Sequence, residues 1–209
     1  MRELILVRHG QSLYNVRLTD HLDSGLTEEG VRQVRETGQF LRTHLGHLHE
    51  FVGRCSPYLR CLQTARILSE ETGIEFWVDD GPREVMIRHD WCQVPSRRAE
   101  YPEFDWNRFQ NMREYVQEDE DTFNNRMKHY LQRLQEEDKV LVVSHGTPVT
   151  ALFLMSVGEY QGPGLFDGQY VDNSSLSYLR NGERIWFNKV VYGGQAPTVD
   201  RPGDSDLEV

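Results

Sequence analysis

The chain has 209 residues, with 23 Lys+Arg against 33 Asp+Glu and a formal net charge of -10. That length suits one α/β domain with a full core. The negative balance argues against broad nucleic-acid or anionic-membrane binding, since both need a positive field. A few focused arginines can still hold a small anionic substrate. Cys55, Cys61 and Cys92 form an odd set without paired spacing, which favours a reducing, cytoplasmic setting over a disulfide framework. No apolar stretch approaches a membrane span, and Met1-Arg2-Glu3 leads straight into the first apolar run, so no signal peptide is expected.

In chain order, Leu4 to Val7 is a short, buried-strand pattern running into Arg8-His9-Gly10, where the glycine is expected to let the chain turn sharply. A polar loop from Tyr14 to Gly25 follows. Thr27 is a good N-cap for an amphipathic helix whose apolar face carries Val31, Val34, Leu41 and Leu45, with Gly46 as its stop. Glu50 to Arg54 reads as a second strand. Ser56-Pro57 then reads as cap and first residue of a helix that Gly73 ends, and Ile74 to Val78 as a third strand. Thr122 to Glu137 has helical spacing and feeds a second copy of the opening pattern, Val140 to Val143 running into Ser144-His145-Gly146. Thr147-Pro148 starts a helix reaching about Val157. Two alternating segments, Ser175 to Leu179 and Arg184 to Val191, flank Asn181-Gly182, a strong hairpin signal.

Strands alternating with helices predict a three-layer α/β/α sandwich with a mostly parallel sheet, to which the hairpin adds an antiparallel portion. One domain over residues 1–192 is expected, with an irregular excursion at about 84–121 and a disordered tail over 193–209. The excursion holds Trp91, Tyr101, Phe104, Trp106, Phe109 and Tyr115, and reads either as a substrate-contacting lid or as a satellite packing cluster. Open parallel sheets carry their chemistry at the carboxyl ends of the strands, so His9 and His145 can meet in one crevice.

Arg8-His9-Gly10 followed by Asn15 resembles the signature of the histidine phosphatase superfamily, also called phosphoglycerate mutase-like. Leu26-Thr27-Glu28-Glu29-Gly30, Ser56-Pro57-Tyr58-Leu59-Arg60 through Ala65, Arg83-Glu84-Val85, Ser144-His145-Gly146 and Asn173-Ser174-Ser175 match in the same order, over roughly residues 3 to 180. A single such tripeptide would be weak; the ordered set is specific. The resemblance implies a phosphatase that hydrolyses a small phosphorylated metabolite through a phosphohistidine, with no metal and no cofactor. His9 would be the nucleophile, Glu84 the proton donor and His145 a further catalytic and phosphate-contacting group. Arg8, Asn15 and Arg60 would complete the phosphate site.

The residue types suit that chemistry. Neutral imidazole can attack phosphorus and split one displacement into two. Guanidinium forks match phosphate oxygens, and a partly desolvated glutamate is expected to keep a proton for the leaving alkoxide. Asp90 and Glu100 are rivals for that acid. Arg88, Arg97 and Arg98 could read a second anionic group or form a solvated basic turn. His44, His47 and His49 lack the carboxylate or cysteine spacing of a zinc site, and Glu118-Asp119-Glu120-Asp121 reads as solvated charge before a helix. Two rivals remain: a cofactor-dependent phosphoglycerate mutase, and a non-catalytic phospho-ligand module on the same fold. Val85 to Trp91 lacks the glycine- and tyrosine-bearing segment that the resembling mutases carry there. The natural phosphoester and the oligomeric state are not legible in the sequence.

Overall fold

A computed structural model describes residues 1–85, 97–107, 109, 117–160 and 171–193. Its elements run β1 (Glu3–Arg8), α1 (Glu28–His44), a 3-10 turn (Leu48–Glu50), β2 (Val52–Cys55), α2 (Leu59–Thr72), β3 (Phe76–Val78), α3 (Glu120–Leu134), β4 (Lys139–Ser144), α4 (Gly146–Ser156), β5 (Leu176–Arg180) and β6 (Glu183–Lys189). One six-stranded sheet has the order β3-β2-β4-β1-β5-β6. The first four pair in parallel, and β5 and β6 add the antiparallel portion. This is the α/β architecture that the alternating elements predict.

The pleat sorts the core into two layers. Ile5 and Val7 of β1 and Leu141 and Val143 of β4 pack with Val34, Leu41, Leu62 and Leu68 of α1 and α2. The alternate residues Leu4, Leu6, Val140 and Val142 pack with Phe123, Met127 and Val149 of α3 and α4. Period-two strands between two helical layers leave no polar face on the central strands.

Several element ends follow their expected chemistry. Thr27 caps α1 by accepting from the Gly30 amide at 2.9 Å, and Gly73 closes α2 at φ 76. Asn181 and Gly182 both take positive φ, 52 and 80, as a type I′ hairpin turn requires. The start of α2 differs from its expected cap. It begins at Leu59 rather than Pro57, and Asp23 Oδ1, from the loop before α1, accepts the Leu59 amide at 2.6 Å. The side chain of Ser56 is used elsewhere. Similarly α4 begins at Gly146, with His145 at the cap position.

Of the excursion, Tyr101, Phe104, Trp106 and Phe109 are buried and join the α1–α2 side of the core. Asp105 bonds back to β3, accepting from the Val78 amide at 2.8 Å and donating to the Phe76 carbonyl at 3.2 Å. These four aromatics are therefore packing residues along the β3 edge. Arg88, Asp90, Trp91, Tyr115 and the tail after Gly193 lie outside the described residues. Among the described residues, no helix is long and apolar enough to cross a membrane.

Candidate active site

Parallel pairing of β1 with β4 sets Arg8 opposite Ser144, so His9 and His145 leave neighbouring strands at the same level. Adjacent strands lie about 4.8 Å apart, and the two imidazoles meet with centroids 5.3 Å apart, at 68°. His9 is fixed through its backbone on both sides. Its amide donates to the Ser144 carbonyl at 2.9 Å, and its carbonyl accepts from the Ser174 amide at 3.0 Å and from Asn173 Nδ2 at 3.2 Å. The φ of Gly10 is not positive, so left-handed backbone is not why glycine is needed there. Its role is close approach: a Cβ there would lie 2.6 Å from the Gly30 carbonyl oxygen of α1.

Hydrogen bonds fix the tautomers of both histidines. His9 Nδ1 is 2.7 Å from the Gly10 carbonyl oxygen, which can only accept, so Nδ1 carries the proton. Arg60 Nε, which can only donate, lies 3.0 Å from His9 Nε2 and marks the lone pair there. Arg60 Nη2 likewise donates to His145 Nδ1 at 2.8 Å, which leaves the His145 proton on Nε2, 2.8 Å from Ser56 Oγ. Arg60 thus lies between two imidazole lone pairs, and its Nη1 donates to the Leu22 carbonyl. Tyr58 packs its ring against both, 5.0 Å from the His145 centroid and 4.9 Å from the guanidinium carbon.

Glu84 Oε2 lies 3.5 Å from His145 Nδ1 and 3.8 Å from Arg60 Nη2, while Oε1 accepts from the Val85 amide at 3.0 Å. Arg8 is buried at the end of β1 and donates to the Val171 carbonyl at 2.7 Å. Asn15 is buried as well, but its Oδ1 is committed to the loop. It accepts from the Ser12 amide, Ser12 Oγ and Asn173 Nδ2 at 3.0 to 3.1 Å.

Burial, then the Arg60 and Arg8 charges, hold His9 well below the ordinary imidazole range. Burial and Arg60, with smaller effects of His9, Arg8 and Arg126, do the same to His145. Both rings are therefore neutral bases with an arginine between them. Cys61 lies 3.5 Å from His145 Nε2, but burial pushes its thiol up to about 12, which removes it as a nucleophile.

The remaining candidates disperse. Glu100 is exposed and paired with Arg97, away from the histidines. Arg97 does not face solvent freely: its Nη2 donates to Asp23 Oδ2 at 3.0 Å, and Asp23 in turn accepts the Leu59 amide next to Arg60. Arg98 is exposed. His47 bridges both oxygens of Glu3 at 3.1 Å, and His44 bonds the Phe40 carbonyl within its own helix. The acidic run divides. Asp119 caps α3 by accepting from the Thr122 amide, but Glu118 is buried between Arg83 and Arg126 rather than solvated.

Four supporting residues were given no role at the site by the sequence: Ser56, read as a helix cap, Thr64 and Asn173, which lie inside matched motifs, and Asp23 in the polar loop. Thr64 Oγ1 donates to the Arg60 carbonyl at 2.7 Å and accepts from the Gly10 amide at 3.1 Å, joining α2 to the His9 turn. Such contacts depend on register between distant segments. The surrounding motif hinted at Ser56, Thr64 and Asn173, and nothing hinted at Asp23.

The model of the histidine phosphatase superfamily (branch 1) matches residues 4–191. A Hydrogenobacter thermophilus protein named "Putative phosphoserine phosphatase 2" is 27% identical over 209 residues, covering 93% of this chain and 99% of its own. The "Probable phosphoglycerate mutase GpmB" of Erwinia tasmaniensis is 31% identical over 169 residues, 76% of each chain. Among solved structures, a phosphoserine phosphatase mutant from Entamoeba histolytica in complex with phosphoserine superposes with a TM-score of 0.63. It is 22% identical and covers 91% of this chain and 98% of its own.

Proposed function

The chain belongs to the histidine phosphatase superfamily, branch 1, and is a phosphatase of small phosphorylated metabolites; we propose that it works through a phosphohistidine on His9, with Glu84 as proton donor. The observation that carries this reading is the fixed His9 tautomer, with Nδ1 protonated on the Gly10 carbonyl and the Nε2 lone pair aimed at Arg60, beside His145.

In the first step the Nε2 lone pair attacks phosphorus as the phosphoester P–O bond breaks, and the leaving alkoxide takes a proton from Glu84. In the second, water attacks the phosphoryl group and gives its proton to the Glu84 carboxylate. The N–P bond then breaks, releasing phosphate and restoring neutral His9. Arg60 is within reach of every reacting group, so its fork exchanges imidazole lone pairs for phosphoryl oxygens when substrate enters. Arg8 adds a second buried positive charge. Such preorganised charge in a dry site is worth far more than in water, and it supplies the neutralisation that a metal ion provides in other phosphoryl-transfer sites. His145 gains a hydrogen-bonding role toward phosphate by taking a proton at Nδ1, which a bound anion favours by offsetting the arginine field.

The 31% identity to a protein named as a phosphoglycerate mutase supports a second reading, in which the phosphohistidine is passed to another hydroxyl rather than to water. One pair of assays separates them. Phosphate release from a panel of monoesters is expected to be efficient, and 3-phosphoglycerate with catalytic 2,3-bisphosphoglycerate to be interconverted poorly. Efficient interconversion with negligible phosphate release would reverse the assignment.

A further inference from the structure

Four successive carbonyls lead up to Glu84, and side chains hold each of them. Arg126 of α3 donates through Nη1 to Gly81 O at 2.7 Å and to Arg83 O at 3.1 Å, and through Nη2 to Glu84 O at 3.3 Å. Ser144 Oγ, one residue before His145, donates to Pro82 O at 2.6 Å. The other two N–H groups of Arg126 meet the buried Glu118 carboxylate side by side, Nε on Oε1 at 2.6 Å and Nη2 on Oε2 at 2.7 Å. A guanidinium has five N–H donors, and all five are used. Three of them end on the segment that presents Glu84.

We infer that Arg126, oriented by Glu118, is a positioning residue that sets the Glu84 carboxyl against the reacting oxygen. Oε1 of that carboxyl accepts from the Val85 amide, and Oε2 lies 3.5 Å from His145 Nδ1 and 3.8 Å from Arg60 Nη2. The side chain leaves the backbone at 81–84, an irregular segment outside the strands and helices, so the bonds of Arg126 to that segment fix where the carboxyl starts from. Arg126 is nearly buried, and its five donors end on Glu118 and on carbonyls of the 81–84 segment; its charge also reaches His145, so the lysine variant, which keeps that charge, isolates the positioning effect. A lysine keeps the charge but brings three donors on a flexible stem, and cannot span three carbonyls and a carboxylate. An acid displaced by about an ångström loses much of its effect.

This inference rests on Glu84 being the proton donor, and its test is arranged to separate the two. The leaving-group dependence of kcat/KM is measured with 4-nitrophenyl, phenyl and 4-methoxyphenyl phosphates and ethyl phosphate, for the wild type and Arg126→Lys, Glu118→Gln, Glu84→Gln and Arg126→Lys/Glu84→Gln variants. Thermal melts check that each is folded. Arg126→Lys is expected to lower the ethyl-to-4-nitrophenyl ratio by roughly tenfold or more, Glu118→Gln to lower it less, and the double variant to match Glu84→Gln. A purely structural role would lower all substrates alike. Equal losses in Arg126→Lys beside a selective loss in Glu84→Gln would overturn the positioning role alone. So would a further drop of the ratio in the double variant. No selective loss in Glu84→Gln would remove Glu84 as the acid and the inference with it. Should Arg126→Lys not fold, Glu118→Gln carries the same comparison, and an unchanged ratio there would count against the role.

Discussion

Arg60 Nε sits 3.0 Å from His9 Nε2, so the guanidinium and the nitrogen proposed to attack phosphorus are held against each other. The arrangement keeps Nε2 unprotonated on a neutral ring, because a protonated Nε2 would face a guanidinium donor. It also sets a phosphate-matching fork beside the nitrogen proposed to attack.

Glu84→Gln preserves the size of the side chain and removes its proton-transfer capacity. A general acid contributes roughly a hundred- to ten-thousandfold. Turnover of an alkyl phosphate should fall within that range, with much smaller losses for 4-nitrophenyl phosphate, whose phenolate leaves unaided. Equal losses on both would move the acid role to another carboxylate.

Activity should survive exhaustive chelation, because Arg8 and Arg60 already bring buried positive charge to His9. Vanadate should inhibit by resembling the five-coordinate transition state. Loss of activity on chelation with recovery on adding a divalent ion would contradict this account of the charge.

Stability should fall on acidification in two stages. His9 and His145 are depressed below 6.5, so the unfolded chain binds protons that the folded chain refuses. Their contribution is complete above about pH 6.5 and is lost as pH falls below it, at up to about 1.4 kcal/mol per pH unit for each ring. Glu3 adds a lower stage. Burial pushes its carboxyl up, but hydrogen bonds from Tyr178, His47 and Lys139 outweigh this and hold it at about 2 rather than 4.5. Its stabilisation is present above pH 4.5 and lost toward pH 2. Urea unfolding at stepped pH measures both stages, and an unfolding free energy that stays flat between pH 7 and 5 would show that the two rings are not held neutral.

The repeated apolar-run-to-histidine pattern made the two strand ends legible, because a parallel sheet brings such ends together whatever lies between them. Thr27, Gly73 and Asn181-Gly182 were equally readable, since each satisfies a local backbone need. What was not legible depends on tertiary register. Ser56 looked like a helix cap, but the chain supplies that cap from Asp23 and spends the Ser56 hydroxyl on His145. Glu118 looked like one of four solvated acids, and only the docking of α3 shows it clasping Arg126. The aromatics of the excursion were ambiguous because lids and packing clusters share a composition. Their contact with β3 settles the four that are described.

Whether His9 carries the phosphoryl group is tested most directly by rapid quench with phosphorus-labelled substrate. Label should appear on the protein within one turnover, stable in base and labile in acid, and map to the peptide containing His9. It should vanish in His9→Ala together with activity. Full turnover by His9→Ala, or label on any other residue, would contradict the account.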